Sequence, residues 1–157
     1  VIYNSSGIVR YEASGVIRTT NQDTNLASRI KIILLGLEEV IDQFKPDCVA
    51  IEKVFVNINP QSTLLLGQAR GAAISAAVMQ NLDVFEYTAL QVKKSVVGMG
   101  HASKSQVQIM VQKLLNLPSI PSSDSADALA CSICHANISG SIAKFGTGNR
   151  MKSGRII

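Results

Sequence analysis

The chain has 157 residues, 46% of them apolar and 17% charged, which suits one packed domain and excludes a disordered chain. No apolar run approaches the roughly 20 residues needed to cross a bilayer, because the longest, residues 32–37, is closed by Lys31 and Glu38. Three cysteines are too few and odd in number for a disulfide framework, and with no basic-then-apolar leader in view the composition reads as cytoplasmic with no membrane partner.

The opening reads as a hairpin: a strand over residues 1–3, a turn at Asn4-Ser5-Ser6-Gly7, then a β-rich run over 8–20. Three residues are short for a strand whose partner runs for about ten. From Leu26 to Phe44, apolar residues fall at helical spacing, with Asp23 or Thr24 as the expected cap and Pro46 beyond the end. Cys48-Val49-Ala50-Ile51 is wholly apolar, which predicts a strand buried on both faces of a parallel sheet, with Glu52 at its C-terminal end. Asn59-Pro60 opens a helix through Gln80, rich in Ala and Gly, and residues 83–87 form a further strand. A helix starts near Ala89 and is interrupted at Gly98-Met99-Gly100; another spans 103–115 and is closed by Pro118 and Pro121. The last helix is expected over 122–137. After Ser139 the composition turns to Ser, Gly, Lys and Arg, so the chain divides into a domain over 1–138 and a basic, mobile tail over 139–157. Strands alternating with helices give an α/β sheet with helices on both faces, led by antiparallel strands.

The formal net charge of +4 is concentrated in two stretches: Lys93, Lys94, Lys104 and Lys113, and then Lys144, Arg150, Lys152 and Arg155. All 11 acidic residues lie outside them. Such blocks would neutralise phosphates of a polyanion, or form a solvated face and tail. Glu52 ends an otherwise apolar strand, where an acid is costly unless it is paired, solvated or bound to metal. Asp124 and Asp127 stand three apart at the start of the last helix and share one face. Capping by Ser122, Ser123 and Asp124 would explain one aspartate, but not Asp127, which precedes the apolar body of the helix. Oxygen-only carboxylates converging at strand and helix ends suit Mg²⁺ or Mn²⁺ and metal-assisted phosphodiester hydrolysis.

The runs DCVAIEKVF (47–55), LGQARGAA (66–73), FEYTALQVKKSVVGMG (85–100), SKSQVQ (103–108) and SDSADALA (123–130) resemble the RuvC-type Holliday-junction resolvases, in unbroken order from the hairpin to about residue 138. The resemblance implies a ribonuclease-H-like fold and a homodimer. It also implies Mg²⁺-dependent symmetric nicking of four-way DNA junctions beside a branch-migration motor. By the same resemblance Glu52, Asp124 and Asp127 match catalytic, metal-binding carboxylates, Lys93 and Lys104 match lysines near the scissile strand, and Phe55 matches an aromatic at the junction centre. The lysines would neutralise phosphate charge and Phe55 would stack on an unpaired base; otherwise they are surface lysines and a core phenylalanine. Arg70 contacts DNA or faces the dimer partner.

The chain departs from the family pattern at its start, where the G-I-D-P-G-like first strand and its aspartate do not occur. A central strand and a fourth carboxylate are therefore expected to be absent, leaving a gap or an exposed edge in the sheet. Either the sequence is a fragment, or it is a truncated, catalytically impaired relative that binds junction DNA without cleaving it. Restoring an upstream strand that contains an aspartate should then give Mg²⁺-dependent nicking. Finally, Cys131-Ser132-Ile133-Cys134-His135 has the spacing of covalent haem attachment, but it lies inside an apolar helix and no haem is expected.

Overall fold

The computed structural model describes residues 1–5, 8–19, 25–53, 59–145 and 154–156, and only the backbone at 3–5, 141–145 and 154–156. Strands β1 (Ile2–Ser5) and β2 (Ile8–Tyr11) form an antiparallel hairpin with Ile2 opposite Tyr11. β2 stops at Tyr11 instead of continuing toward residue 20. Beyond it the Glu12 and Ala13 amides turn back to the Val1 carbonyl at 3.2 and 3.3 Å, and the Val1 ammonium donates to the Ala13 carbonyl at 2.7 Å. Helix α1 (Leu26–Phe44) has the expected limits, but its cap is Asn25, whose side chain accepts the Ser28 amide at 2.8 Å. Lys45 ends it in the left-handed region ahead of Pro46.

β3 (Cys48–Glu52) and β4 (Asp83–Tyr87) pair in parallel, with Ile51 beside Glu86 and Glu52 beside Tyr87. Between them runs α2 (Pro60–Met79), capped by Asn59 with proline in its first turn, where a missing amide costs nothing. Alternation along the strands assigns the layers. Cys48 and Ala50 on β3, with Phe85 and Tyr87 on β4, pack into the main core; Glu86, of opposite parity, meets Arg70 of α2. That core is completed by α3 (Ala89–Val97), α4 (Lys104–Leu114) and α5 (Ser123–Phe145), with Val92, Val96, Val107, Val111, Leu129, Ile133 and Cys134 buried. Helices thus cover both faces, as expected. β3 is half-buried rather than fully buried along Cys48 to Ile51.

Two differences concern the C-terminal region. α5 continues past Asn137 to Phe145, because Ser and Gly without proline weaken a helix but do not stop it. Residues Gly154–Ile156 form β5, antiparallel to β1 and parallel to β3, in the sheet order β2-β1-β5-β3-β4. The central position expected to stand empty is therefore held by the C-terminal strand, with Ile156 opposite both Ile2 and Cys48. Facing strand edges leave unpaired amides and carbonyls, and an extended segment between them satisfies both rows. Residues 139–145 and 154–156 are thus helix and strand, while Arg150 and Lys152 lie outside the described residues.

Candidate active site

Glu52 shares strand parity with Cys48 and Ala50, so its side chain faces α5. Its carboxyl is held above the usual carboxylate range, first by partial desolvation and then by the negative charge of Asp127; Lys93 and Lys104 oppose the rise. One glutamate at a strand end thus senses an aspartate from α5 and lysines from α3 and α4. Local sequence explains how each arrives. Thr88 and Gln91 make a reciprocal capping box at the start of α3, as do Ser103 and Gln106 at the start of α4. Gly98, at φ 83°, ends α3 in a conformation that favours glycine. These caps fix the two short helices that carry Lys93, half-buried, and Lys104, exposed in the first turn of α4.

At the start of α5 the Ser122 hydroxyl accepts the Ser125 amide at 3.3 Å and donates to the Ser125 hydroxyl at 2.9 Å. Serine supplies this cap and frees both aspartates from it. Asp127 is half-buried, whereas Asp124, a turn earlier, is exposed. Among the described residues no three His, Cys, Asp or Glu side chains close into a group that could hold an ion by themselves. Of the three carboxylates expected to meet, Asp127 acts on Glu52 through its charge, whereas Asp124 is not among the charges that shift Glu52. Phe55 lies outside the described residues, as do residues 54 and 56–58.

α5 is held in register by a contact that sequence reading missed. His135 Nδ1 and the Tyr87 hydroxyl share a hydrogen bond of 2.7 Å, and the His135 Nε2 lies 3.5 Å from the Cys48 Sγ. Burial lowers the His135 pKa, favouring the neutral ring. The Phe85 ring lies 4.3 Å away, centroid to centroid. A single histidine in an apolar helix was the available signal, submerged in the haem-like spacing. Burial raises the thiols, Cys48 to about 11 and Cys131 to about 12, so the Cys-x-x-Cys-His run is core helix with protonated cysteines. Cys131, one turn beyond Asp127, is also raised by the charge of Glu52.

Arg70 is occupied on the other face of the sheet. Its guanidinium is ion-paired with Glu86, and its Nε donates to the Glu52 backbone carbonyl at 3.3 Å. The signal for Glu86 was a charge between two aromatics in a five-residue strand.

The donor set fits a hard divalent ion. Two carboxylates that repel one another gain from a shared cation, and Mg²⁺ takes few protein oxygens, leaving positions for water and phosphate. A zinc or haem site would instead need the imidazole and thiols that the core consumes.

Residues 1–135 match the family model "Crossover junction endodeoxyribonuclease RuvC". A relative of that name from Methylobacillus flagellatus is 60% identical over 162 residues, covering 100% of this chain and 90% of its own length. Another from Cupriavidus pinatubonensis is 62% identical over 127 residues, covering 81% of this chain and 70% of its own. Among solved structures, T. thermophilus RuvC in complex with Holliday junction substrate superposes with a TM-score of 0.82 at 31% identity, covering 89% of this chain and 86% of that one.

Proposed function

Because the chain belongs to the crossover junction endodeoxyribonuclease RuvC family, we propose that it is a structure-selective endonuclease that resolves four-way DNA junctions by paired nicks in recombination and repair. The observation that supports this reading is that Glu52, at the end of β3, feels the charges of Asp127 on α5 and of Lys93 and Lys104 on α3 and α4. Glu52 and Asp127, with Asp124, would hold Mg²⁺ or Mn²⁺. Such an ion, when bound, activates water and stabilises the leaving oxygen of a phosphodiester. Lys93 and Lys104 draw the phosphate into the site and offset charge that grows in the transition state. The tilted ring contacts of His135 with Phe85 and Tyr87, and its hydrogen bond to Tyr87, tie α5, the helix that carries Asp127, to β4.

Two junction strands cut symmetrically call for two sites, and the reading includes a homodimer working beside a branch-migration motor. It is supported by α2, where Leu64 and Leu66 are 63% and 54% exposed beside Leu65 on a helix that turns only one side to the sheet. The non-cleaving alternative finds no support among the relatives. A denaturing gel of a synthetic four-way junction with Mg²⁺ tests the proposal. Paired nicks are expected, reduced roughly a hundredfold or more in Glu52→Gln or Asp127→Asn, with junction binding in EDTA retained. Binding no tighter to junction than to linear duplex at matched salt would sink the reading.

A further inference from the structure

Arg70 lies on α2, behind the sheet as seen from the acidic site. On β3 the side chains of Cys48, Ala50 and Glu52 face α5, and on β4 Glu86 faces α2. The Arg70 side chain is only 24% exposed and spans both strands from that rear face: its guanidinium pairs with Glu86 while its Nε donates to the backbone carbonyl of Glu52. Glu86 stands beside Ile51 in the parallel ladder, so the ion pair anchors the guanidinium one residue from the end of β3. The ladder itself runs on only to the Lys53 amide, which donates to the Tyr87 carbonyl at 2.7 Å.

A strand end carrying a glutamate opposite an aspartate has two reasons to drift. Strand termini fray, and like charges push the carboxylates apart. A planar guanidinium fixed by one carboxylate offers a directed N–H to a carbonyl at little further entropic cost, which an ammonium cannot reproduce. We propose that Arg70, oriented by Glu86, is a positioning residue that pins the end of β3 from behind and so holds Glu52 in place to share a divalent ion with Asp127. This role rests on the metal-site reading above, and it removes Arg70 from the DNA-contacting set: the group is spent within the fold and lies on the face away from Lys93 and Lys104.

The test compares the unsubstituted protein with Arg70→Lys, Arg70→Ala, Glu86→Gln and the exchanged pair Arg70→Glu/Glu86→Arg. Mn²⁺ affinity is read from the rise of the melting temperature with metal, and junction affinity from gel shifts in EDTA at fixed salt. Loss of the pin should weaken Mn²⁺ binding by about tenfold or more in Arg70→Lys and Arg70→Ala, with Glu86→Gln in the same direction. The exchanged pair should recover the ion pair but not the Mn²⁺ affinity, since the new arginine starts from β4. Junction affinity in EDTA should stay within about twofold throughout. Arg70→Lys and Glu86→Gln keep the bulk of the side chains, so they report even if Arg70→Ala does not fold. Unchanged Mn²⁺ affinity in those two, or a loss of junction affinity with Mn²⁺ binding intact, overturns the proposal alone. No Mn²⁺ response in the unsubstituted protein overturns the metal site, and the positioning role with it.

Discussion

Under the proposed function, Glu52 would serve catalysis at a cost to the fold. Its folded pKa is raised, so between its unfolded and folded values the native state binds the extra proton, and stability falls as pH rises through that interval. Glu52→Gln should therefore raise the metal-free melting temperature at pH 7 while abolishing Mg²⁺-dependent nicking, and the gain should vanish when the pH is taken below the ordinary carboxylate range. A scan of melting temperature against pH in EDTA measures this. His135 works with the opposite sign. Burial lowers its pKa from 6.5, so the unfolded chain takes up the proton first and stability is lost as pH falls below that value. In His135→Gln the decline in melting temperature from pH 7 to pH 5 should be shallower than in the unsubstituted protein, and an equal decline would mean that other groups carry it.

Elements are specified by short-range chemistry, with one exception. Asn25, Asn59, Thr88 and Ser103 each accept an amide near the start of their helix, and Gly98 turns the chain after α3. The start of α5 and the limits of β3 and β4 also follow from local pattern. β5 does not: Gly154–Ile156 is three residues long and gains its partners from β1 and β3, more than a hundred positions away. Ile156→Pro removes an amide from a strand flanked on both sides, where proline is not accommodated. It should lower unfolding free energy by about 1–3 kcal/mol, read as a lower urea midpoint at unchanged slope. No change would mean that the pairing at Ile156 adds nothing to stability in solution.

For the whole molecule, charge distribution matters more than the net value of +4. Lys93 and Lys104, on separate helices, both act on the charge of Glu52, so under the proposed function a phosphate would meet cations from two directions. Lys104, exposed in the first turn of α4, should act through a single phosphate. Lys104→Gln should weaken junction binding and reduce the slope of log affinity against log salt by about 1, with no change in preference for junction over duplex. A salt titration by gel shift in EDTA gives both quantities. Positions of the α1 and α2 pair and of the α3, α4 and α5 layer on opposite sides of the sheet leave this acidic and basic cluster at the C-terminal ends of the parallel strands, where open α/β sheets commonly bind ligands.

Sequence alone determined the helices α1 to α4 and the start of α5, the strands β3 and β4, that Glu52 ends β3, that Asp127 is surplus to a helix cap, and through five matching runs the family. Those features repeat over a few residues or are set by chemistry next to them in the chain. Tertiary structure decided which acids act on one another. Strand parity turns Glu52 toward α5, where the charge of Asp127 acts on it and that of Asp124, on the same helix, is not among the causes of its shift. Only the folded chain shows that Arg70 grips a backbone carbonyl behind the site, that His135 ties α5 to Tyr87, and that a tail expected to be loose contributes a strand to the middle of the sheet. The physical reason is the same in each case. Hydrogen bonds and charge interactions act over a few ångströms of space, and the partners here are far apart along the chain, so no local pattern records them.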